Sequence, residues 1–297
     1  MLYNYNVRYM NYLDDYIIFL KTEKKLGVNS ITSYEFDLDS FFKFFTLDVV
    51  NCTKNDILGY IGSLKGSSVS TINRHISSLK GYFNYLLENN YIRVNPMEDI
   101  STLKKSKLLP KYLSISEVDN LLNIKLVTPF DYRNKAMLEL MYGTGLRVSE
   151  LVNIKISDID INERTIKVLG KGSKERMVIF NNHTKKAIEI YLNDGYHEFN
   201  KLSSGYLILN KDGNKLSERY IRNIINKLVT KAGLDIKISP HTFRHTFATD
   251  MLEDGSDLMT VKELLGHESL NTTSIYTHVT NEQIRKVYEM AHPRAKK

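Results

Sequence analysis

The sequence predicts a mainly α protein in two parts: an N-terminal helical bundle, then an α-rich domain carrying one small antiparallel β-sheet. Three observations predict it. The 297 residues suit two domains at about 150 residues each. Through the first part, apolar residues recur at helical spacing, with no alternating run between turn clusters. Further on, two β-rich runs, Thr165–Leu169 and Glu175–Phe180, flank Gly170-Lys171-Gly172-Ser173-Lys174, which is the pattern of a hairpin. The boundaries read as 1–100 for the bundle, 101–112 for a basic linker and 113–297 for the second domain.

The elements follow in order. Asn11–Leu26 carries the stripe Leu13, Ile17, Leu20 and stops at Gly27. Ser30 is placed to cap a second helix through Phe45, and Thr53 a third from about Lys54 to Leu64. Ser70 opens a fourth whose face is Ile72, Ile76, Leu79, Phe83 and Leu86, with Arg74, His75 and Lys80 off that face. Asn95-Pro96 closes this region, and Lys104, Lys105, Lys107 and Lys111 then dot a linker broken by Pro110. Ser114-Ile115-Ser116-Glu117 is a capping box that opens the second domain. There, helices are expected over Asp131–Tyr142, from about Val148, and at Lys185–Leu192, Glu218–Lys231, Thr242–Leu252, Leu258–Leu264 and Asn281–Met290.

Composition narrows the function classes. With 42% hydrophobic and 25% charged residues, the chain has ordinary globular character rather than that of a disordered segment. Cys52 is the single cysteine, which excludes an intrachain disulfide and cysteine-held zinc or iron–sulfur centres. No apolar run nears the roughly 18 residues of a membrane span. Asp14 and Asp15 interrupt the N-terminal stretch that would otherwise serve as an export signal. A cytoplasmic protein without membrane contact is expected. The net charge of +7 points weakly to a polyanionic partner. Residues 107–297 hold 29 basic and 23 acidic side chains against 12 and 11 in residues 1–106, so the second domain should hold more of that anion.

Five stretches combine backbone breaks with polar residues that a core would not select. In Gly143-Thr144-Gly145-Leu146-Arg147-Val148-Ser149-Glu150, Arg147 sits where a helix restarts, and Glu150 is one turn on. Taken alone, that pair reads as a surface salt bridge. Lys171 lies between glycines at the hairpin tip, a cation on a short lever, and Lys174 rivals it. In Pro240-His241-Thr242-Phe243-Arg244-His245, positions 241 and 244 share a helix face. A metal site on His241 and His245 is a weak alternative, because no glutamate or cysteine completes it. His245 is expected to be packed and hydrogen-bonded. Leu265-Gly266-His267 and Ser274-Ile275-Tyr276-Thr277-His278 complete the set, with Tyr276 one of 19 tyrosines.

Together these stretches resemble the tyrosine recombinase (phage integrase) family, and within it the bacterial Xer chromosome-dimer resolvases. The likeness runs through Thr144-Gly145-Leu146-Arg147 with Glu150, Gly170-Lys171-Gly172 before Lys174-Glu175-Arg176, His241 to His245, Leu265-Gly266-His267 and Tyr276-Thr277-His278, in family order. It extends to Ser33-Tyr34 with Asp37-Leu38, to Thr71-Ile72-Asn73-Arg74, to Asn95-Pro96, and to the closing His292-Pro293-Arg294-Ala295. Phe243 and Asp250 stand where Leu and His are more usual; neither is a family catalytic position.

The resemblance implies a core-binding bundle joined to a catalytic domain, clamping duplex DNA. It implies cleavage and religation through a 3′-phosphotyrosyl intermediate, with no cofactor and no metal. Tyr276 would be the nucleophile, Arg147 and Arg244 would clamp the phosphate, and His267 would hydrogen-bond it. His241 would act as acid/base, Lys171 would protonate the leaving 5′ oxygen, and Glu150 would support the site. Arg74, Lys80, Lys104, Lys105 and Lys174 are candidate DNA contacts. The implied assembly is a homotetramer or heterotetramer on two DNA sites, with the helix after Asn281 docking onto a neighbour. A nucleoid location and a septal DNA translocase as further partner belong to the same expectation. A mobile-element integrase, a type IB topoisomerase-like enzyme and a catalytically silent DNA-binding protein of this fold are the alternatives.

Overall fold

Local capping signals set most helix boundaries in the computed structural model, which describes residues 3–104, 112–170, 175–266 and 281–295. The chain divides into two compact units, residues 1–108 and 109–297. The first comprises α1 (Tyr3–Thr22), α2 (Val28–Phe44), α3 (Lys54–Ser63) and α4 (Val69–Glu88), with a short 3-10 turn at Val49–Asn51. Thr53 caps α3 through a reciprocal box with Asp56, as its sequence position predicts.

Two caps differ from expectation. Ser30 lies inside α2, whose N-cap is Gly27 with extended backbone and no side-chain bond. Ser70 likewise lies inside α4: Ser68 Oγ accepts from the Thr71 N–H at 3.1 Å and starts the helix two residues sooner. Helix α4 ends at Glu88, ahead of Asn95-Pro96, where Asn90 takes a left-handed φ of 59°.

The core of this unit is aromatic. Phe41 packs on Tyr60 at 5.2 Å and on Phe45 at 5.5 Å between ring centroids, and Tyr16 on Tyr82 at 5.4 Å. His75 is a correction to the sequence reading: it is buried, on the same side of α4 as Tyr82 two turns later. Its Nδ1 lies 2.9 Å from Tyr60 Oη and its Nε2 lies 3.3 Å from Asp37 Oδ1. Fully buried Asp37 also accepts from Ser78 Oγ at 2.7 Å and pairs with Arg74 Nη1 at 2.6 Å. Burial lowers the His75 pKa, while the Asp37 charge opposes that shift.

The second unit is built around α6 (Pro129–Thr144), reached from α5 (Ile115–Leu122). Both begin with reciprocal boxes, Ser114 with Glu117 and Thr128 with Asp131, and Pro129 occupies the first turn of α6. From Ala136 to Thr144, every residue of α6 is buried. After α7 (Val148–Leu151), the sheet follows as β1 (Ile159–Asp160), β2 (Thr165–Leu169) and β3 (Glu175–Ile179). It is antiparallel in the order β1-β2-β3, with Ile166 opposite Val178 and Val168 opposite Arg176. The remaining helices are α8 (Asn182–Asp194), α9 (Tyr196–Phe199), α10 (Glu218–Lys231), α11 (Pro240–Glu253), α12 (Leu258–Leu265) and α13 (Asn281–Ala291). The four-residue α9 has no counterpart in the sequence reading.

Helix α13 packs against α11 and α12 of its own chain. Ile284, Tyr288 and Ala291 join Phe247, Met251, Val261 and Leu265 in one cluster. Tyr288 Oη donates to Gly143 O at 2.7 Å, and Arg294 pairs with Asp119 at 2.8 Å and with Glu139 at 2.9 Å. Among the described residues, no helix is long and apolar enough to cross a membrane.

Candidate active site

The glycine turn after α6 creates the site. Gly145 adopts φ 61°, and its N–H closes α6 on Met141 O. A Cβ there would lie 2.7 Å from Phe247 Cδ1 and 2.8 Å from Leu265 Cδ2, so the turn packs directly on α11 and α12. Only glycine combines that backbone with that approach. Two residues on, Arg147 occupies the N-cap of α7.

Glu150 is the hub. Its Oε2 accepts the Arg147 N–H at 2.8 Å and its Oε1 accepts Arg147 Nη1 at 3.0 Å. Arg176 grips the same carboxylate with both ends of its fork, Nη1 to Oε1 at 2.8 Å and Nη2 to Oε2 at 3.0 Å. Glu150 is 6% exposed while Arg147 is half-buried, so the pair that alone reads as a surface salt bridge has its carboxylate inside and its guanidinium partly open to solvent. Burial by itself would raise this carboxyl, but the hydrogen bonds from Arg176 and Arg147 outweigh it and hold the pKa below the usual range.

Arg244 reaches the turn from α11. That helix begins at Pro240 behind a Ser239–Thr242 capping box, so its first turn is fixed at both ends. Arg244 Nη1 donates to Gly145 O and Nη2 to Leu265 O, each at 2.7 Å. Arg147 Nη2 donates to Gly266 O at 3.3 Å. Both guanidiniums are thereby held against the Gly145 turn and the C-terminus of α12. Burial first, and then the Arg147 charge, bring the Arg244 pKa down to about 10, which leaves it cationic at neutral pH.

His241 is exposed one helical turn before Arg244. His245 is partly buried and meets the Tyr112 ring edge-on at 6.2 Å. Among the described residues, no group of three or more His, Cys, Asp or Glu could hold a metal ion. Lys171, Lys174, His267 and Tyr276 lie outside the described residues, as does Lys105. In the first unit Arg74 is exposed at the surface of α4, Lys80 is half-buried and Lys104 is exposed.

One residue of the site escaped the sequence reading. Arg176 appeared there only inside a motif, yet it contributes two of the four donors on Glu150. Its signal was the strand period: opposite Val168, and two residues before Val178, it falls on the inward face of β3.

Comparison with known proteins decides the family. The model described as "Phage integrase family" matches residues 111–283, and "Phage integrase, N-terminal SAM-like domain" matches residues 13–90. The chain belongs to the phage integrase family. It is 39% identical to tyrosine recombinase XerC of Oceanobacillus iheyensis over 96% of each chain. Tyrosine recombinase XerD of the same organism is also 39% identical, over 95% of this chain and 98% of the relative. The solved XerH site-specific recombinase bound to palindromic difH, a post-cleavage complex, aligns with TM-score 0.70 and 26% identity over 90% of this chain and 81% of that one. This member of the phage integrase family is a tyrosine site-specific recombinase of the Xer type.

Proposed function

We propose that this recombinase resolves chromosome dimers by cutting and rejoining duplex DNA through a 3′-phosphotyrosyl intermediate at Tyr276. The observation that carries the reading is the convergence of Arg147 and Arg244 on the Gly145 turn and the end of α12. Two guanidiniums in one place suit a phosphodiester, whose negative charge grows as a pentacoordinate transition state forms. A tyrosine hydroxyl, with a pKa of about 10, is a weak nucleophile at neutral pH. The arginines screen the charge that repels it and stabilise the charge that develops.

In this reading His241, exposed beside Arg244 in sequence and on its helix, shuttles the tyrosine proton. His267 hydrogen-bonds the phosphate, and Lys171, between β2 and β3 in sequence, protonates the departing 5′ oxygen. Energy stays in the phosphotyrosyl bond, so religation needs no ATP. The N-terminal unit (1–100), the basic linker (101–112) and the catalytic domain (113–297) each contact the duplex. Arg74, Lys80, Lys104, Lys105 and Lys174 are its phosphate contacts. Four protomers, identical or paired with a sister recombinase, act on two sites at the nucleoid, with a septal DNA translocase as activator. The solved XerH complexes with difH support the DNA partner.

The test is incubation with the host's candidate recombination sites in excess EDTA. A covalent protein–DNA adduct is expected with the wild-type chain and none with Tyr276→Phe, which keeps the ring and loses the oxygen. An adduct from Tyr276→Phe would refute the choice of nucleophile.

A further inference from the structure

We propose that Arg176 is a positioning residue: by saturating Glu150, it keeps Arg147 free to grip the scissile phosphate. This rests on the reading of Arg147 as a phosphate clamp. A carboxylate offers about four lone-pair positions. Glu150 fills them with the Arg147 N–H, Arg147 Nη1, Arg176 Nη1 and Arg176 Nη2 at 2.8–3.0 Å. Arg147 therefore gives its carboxylate one guanidinium hydrogen bond rather than two. Among the described residues, its Nη2 makes only the longer contact to Gly266 O, at 3.3 Å.

Without Arg176, two positions on a buried carboxylate would open beside that guanidinium. Arginine and carboxylate prefer the parallel two-bond geometry, so Arg147 would turn its fork onto Glu150. The same fork cannot then meet a phosphate. A supporting carboxylate would become a trap for the residue it supports.

The surroundings of Arg176 are shaped for this role. Its position on the inward face of β3, opposite Val168, ties the hairpin strand to the Arg147 turn. At Gly266, φ is 63°, and an added Cβ would lie 2.7 Å from Arg176 Nε and 2.9 Å from Cζ. A side chain at that corner would occupy the space through which Arg176 reaches Glu150.

Single-turnover cleavage and DNA affinity, measured side by side, test this. Arg176→Met is expected to slow cleavage by about 10- to 100-fold, the scale of an ångström-level misplacement, with the Kd for DNA within about twofold. Adding Glu150→Gln to Arg176→Met is expected to restore about tenfold of that rate, because a neutral amide cannot capture the guanidinium. A merely structural arginine would show no such rescue, since a second substitution in its network would only subtract. Should Arg176→Met fail to fold by circular dichroism, Arg176→Lys serves; its ammonium is a point charge that lacks the parallel two-bond fork of arginine and fills fewer of the carboxylate's positions, and a smaller slowing with the same rescue is expected. Wild-type cleavage by the folded Arg176 variant, or a double variant no faster than the single, overturns the inference alone. If the wild-type chain forms no adduct, the parent reading falls and takes this one with it.

Discussion

Replacing Gly145 with alanine probes the join between fold and chemistry. The backbone there is left-handed, at φ 61° and ψ 21°. Holding an L-residue in that conformation costs about 1–2 kcal/mol. The new methyl would also meet Phe247 Cδ1 at 2.7 Å, Leu265 Cδ2 at 2.8 Å and Phe247 Cγ at 3.0 Å. Phe247 is 1% and Leu265 5% exposed, so neither side chain can swing into solvent to make room. Overpacking of this kind adds about 1–3 kcal/mol. The sum, roughly 2–5 kcal/mol, is a large part of the roughly 5–15 kcal/mol that typically holds a domain together.

The consequence for activity follows from the same atoms. The clash is relieved by moving the turn away from α11 and α12, and the turn's carbonyl is the acceptor for Arg244 Nη1 at 2.7 Å. Gly145→Ala should therefore lower the urea midpoint of the catalytic unit and slow cleavage by about 10² at temperatures where the protein is still folded. Urea unfolding followed by circular dichroism, with single-turnover cleavage in parallel, reads both. Stability within about 0.5 kcal/mol of wild type together with an unchanged cleavage rate would refute the packing argument.

Three further outcomes are expected. Gly266→Ala should cost less stability than Gly145→Ala and slow cleavage by no more than Arg176→Met does, because the atoms it meets belong to the Arg176 side chain rather than to packed core carbons; matched melts and cleavage rates check both. Asp250 and His292 should oppose each other in acid. Burial raises Asp250 from 3.8 to about 6, so its stabilising share is full below its ordinary pKa and is lost as pH rises through 6; burial lowers His292 from 6.5 to about 4, so its share is full above 6.5 and is lost as pH falls through 4. Asp250→Asn should thus steepen the loss of melting temperature between pH 6.5 and 4, and His292→Gln should flatten it; curves parallel to wild type for both would sink the assignment. Asp37→Ala should destabilise the N-terminal unit by about 1–3 kcal/mol, since it leaves buried His75 and Ser78 without their acceptor; a melt within about 0.5 kcal/mol of wild type would contradict it.

Much of this architecture was legible because local chemistry and tertiary structure agree. Thr53 and Ser114 each precede an acidic residue at the third helical position, and both boxes form. The hairpin and α10 have bounds close to those their patterns predict. The misses share a different cause. Gly27 caps α2 with backbone alone, which leaves no residue-type signature, so the nearest serine drew the assignment. Ser68 and Ser70 are equivalent by type, and only the chain direction at the helix entry separates them. The polarity of His75 sets it off the apolar face, although it stands seven residues from buried Tyr82 and so on the same side. A buried partner, here Asp37 on another helix, is what makes such a residue interior, and a single helix does not display it. Arg176 was hidden in the same way, since its carboxylate lies on α7.

The described arginines show how one chain sets different uses for the same side chain. Arg294 spends its charge on two carboxylates, Asp119 at 2.8 Å and Glu139 at 2.9 Å, and so fastens the C-terminal segment to α5 and α6. Arg133 is buried with its guanidinium 5.1 Å from the ring centroids of both Phe130 and Phe199, which closes it to any ligand. Arg244 gives its two Nη groups to Gly145 O and Leu265 O, carbonyls at the C-terminal ends of α6 and α12. A helix C-terminus carries roughly half a negative charge, enough to orient a guanidinium without cancelling it. Arg147 shares its one carboxylate with Arg176, so that corner holds two cations to one anion. Carbonyls and a shared carboxylate thus hold the guanidiniums at this turn, whereas two carboxylates pair off the charge where the tail is fastened. In the proposed reading a phosphodiester finds its attraction at the Gly145 turn, and Arg244→Lys should weaken it, because a single ammonium lacks the fork that reaches both carbonyls while facing the anion.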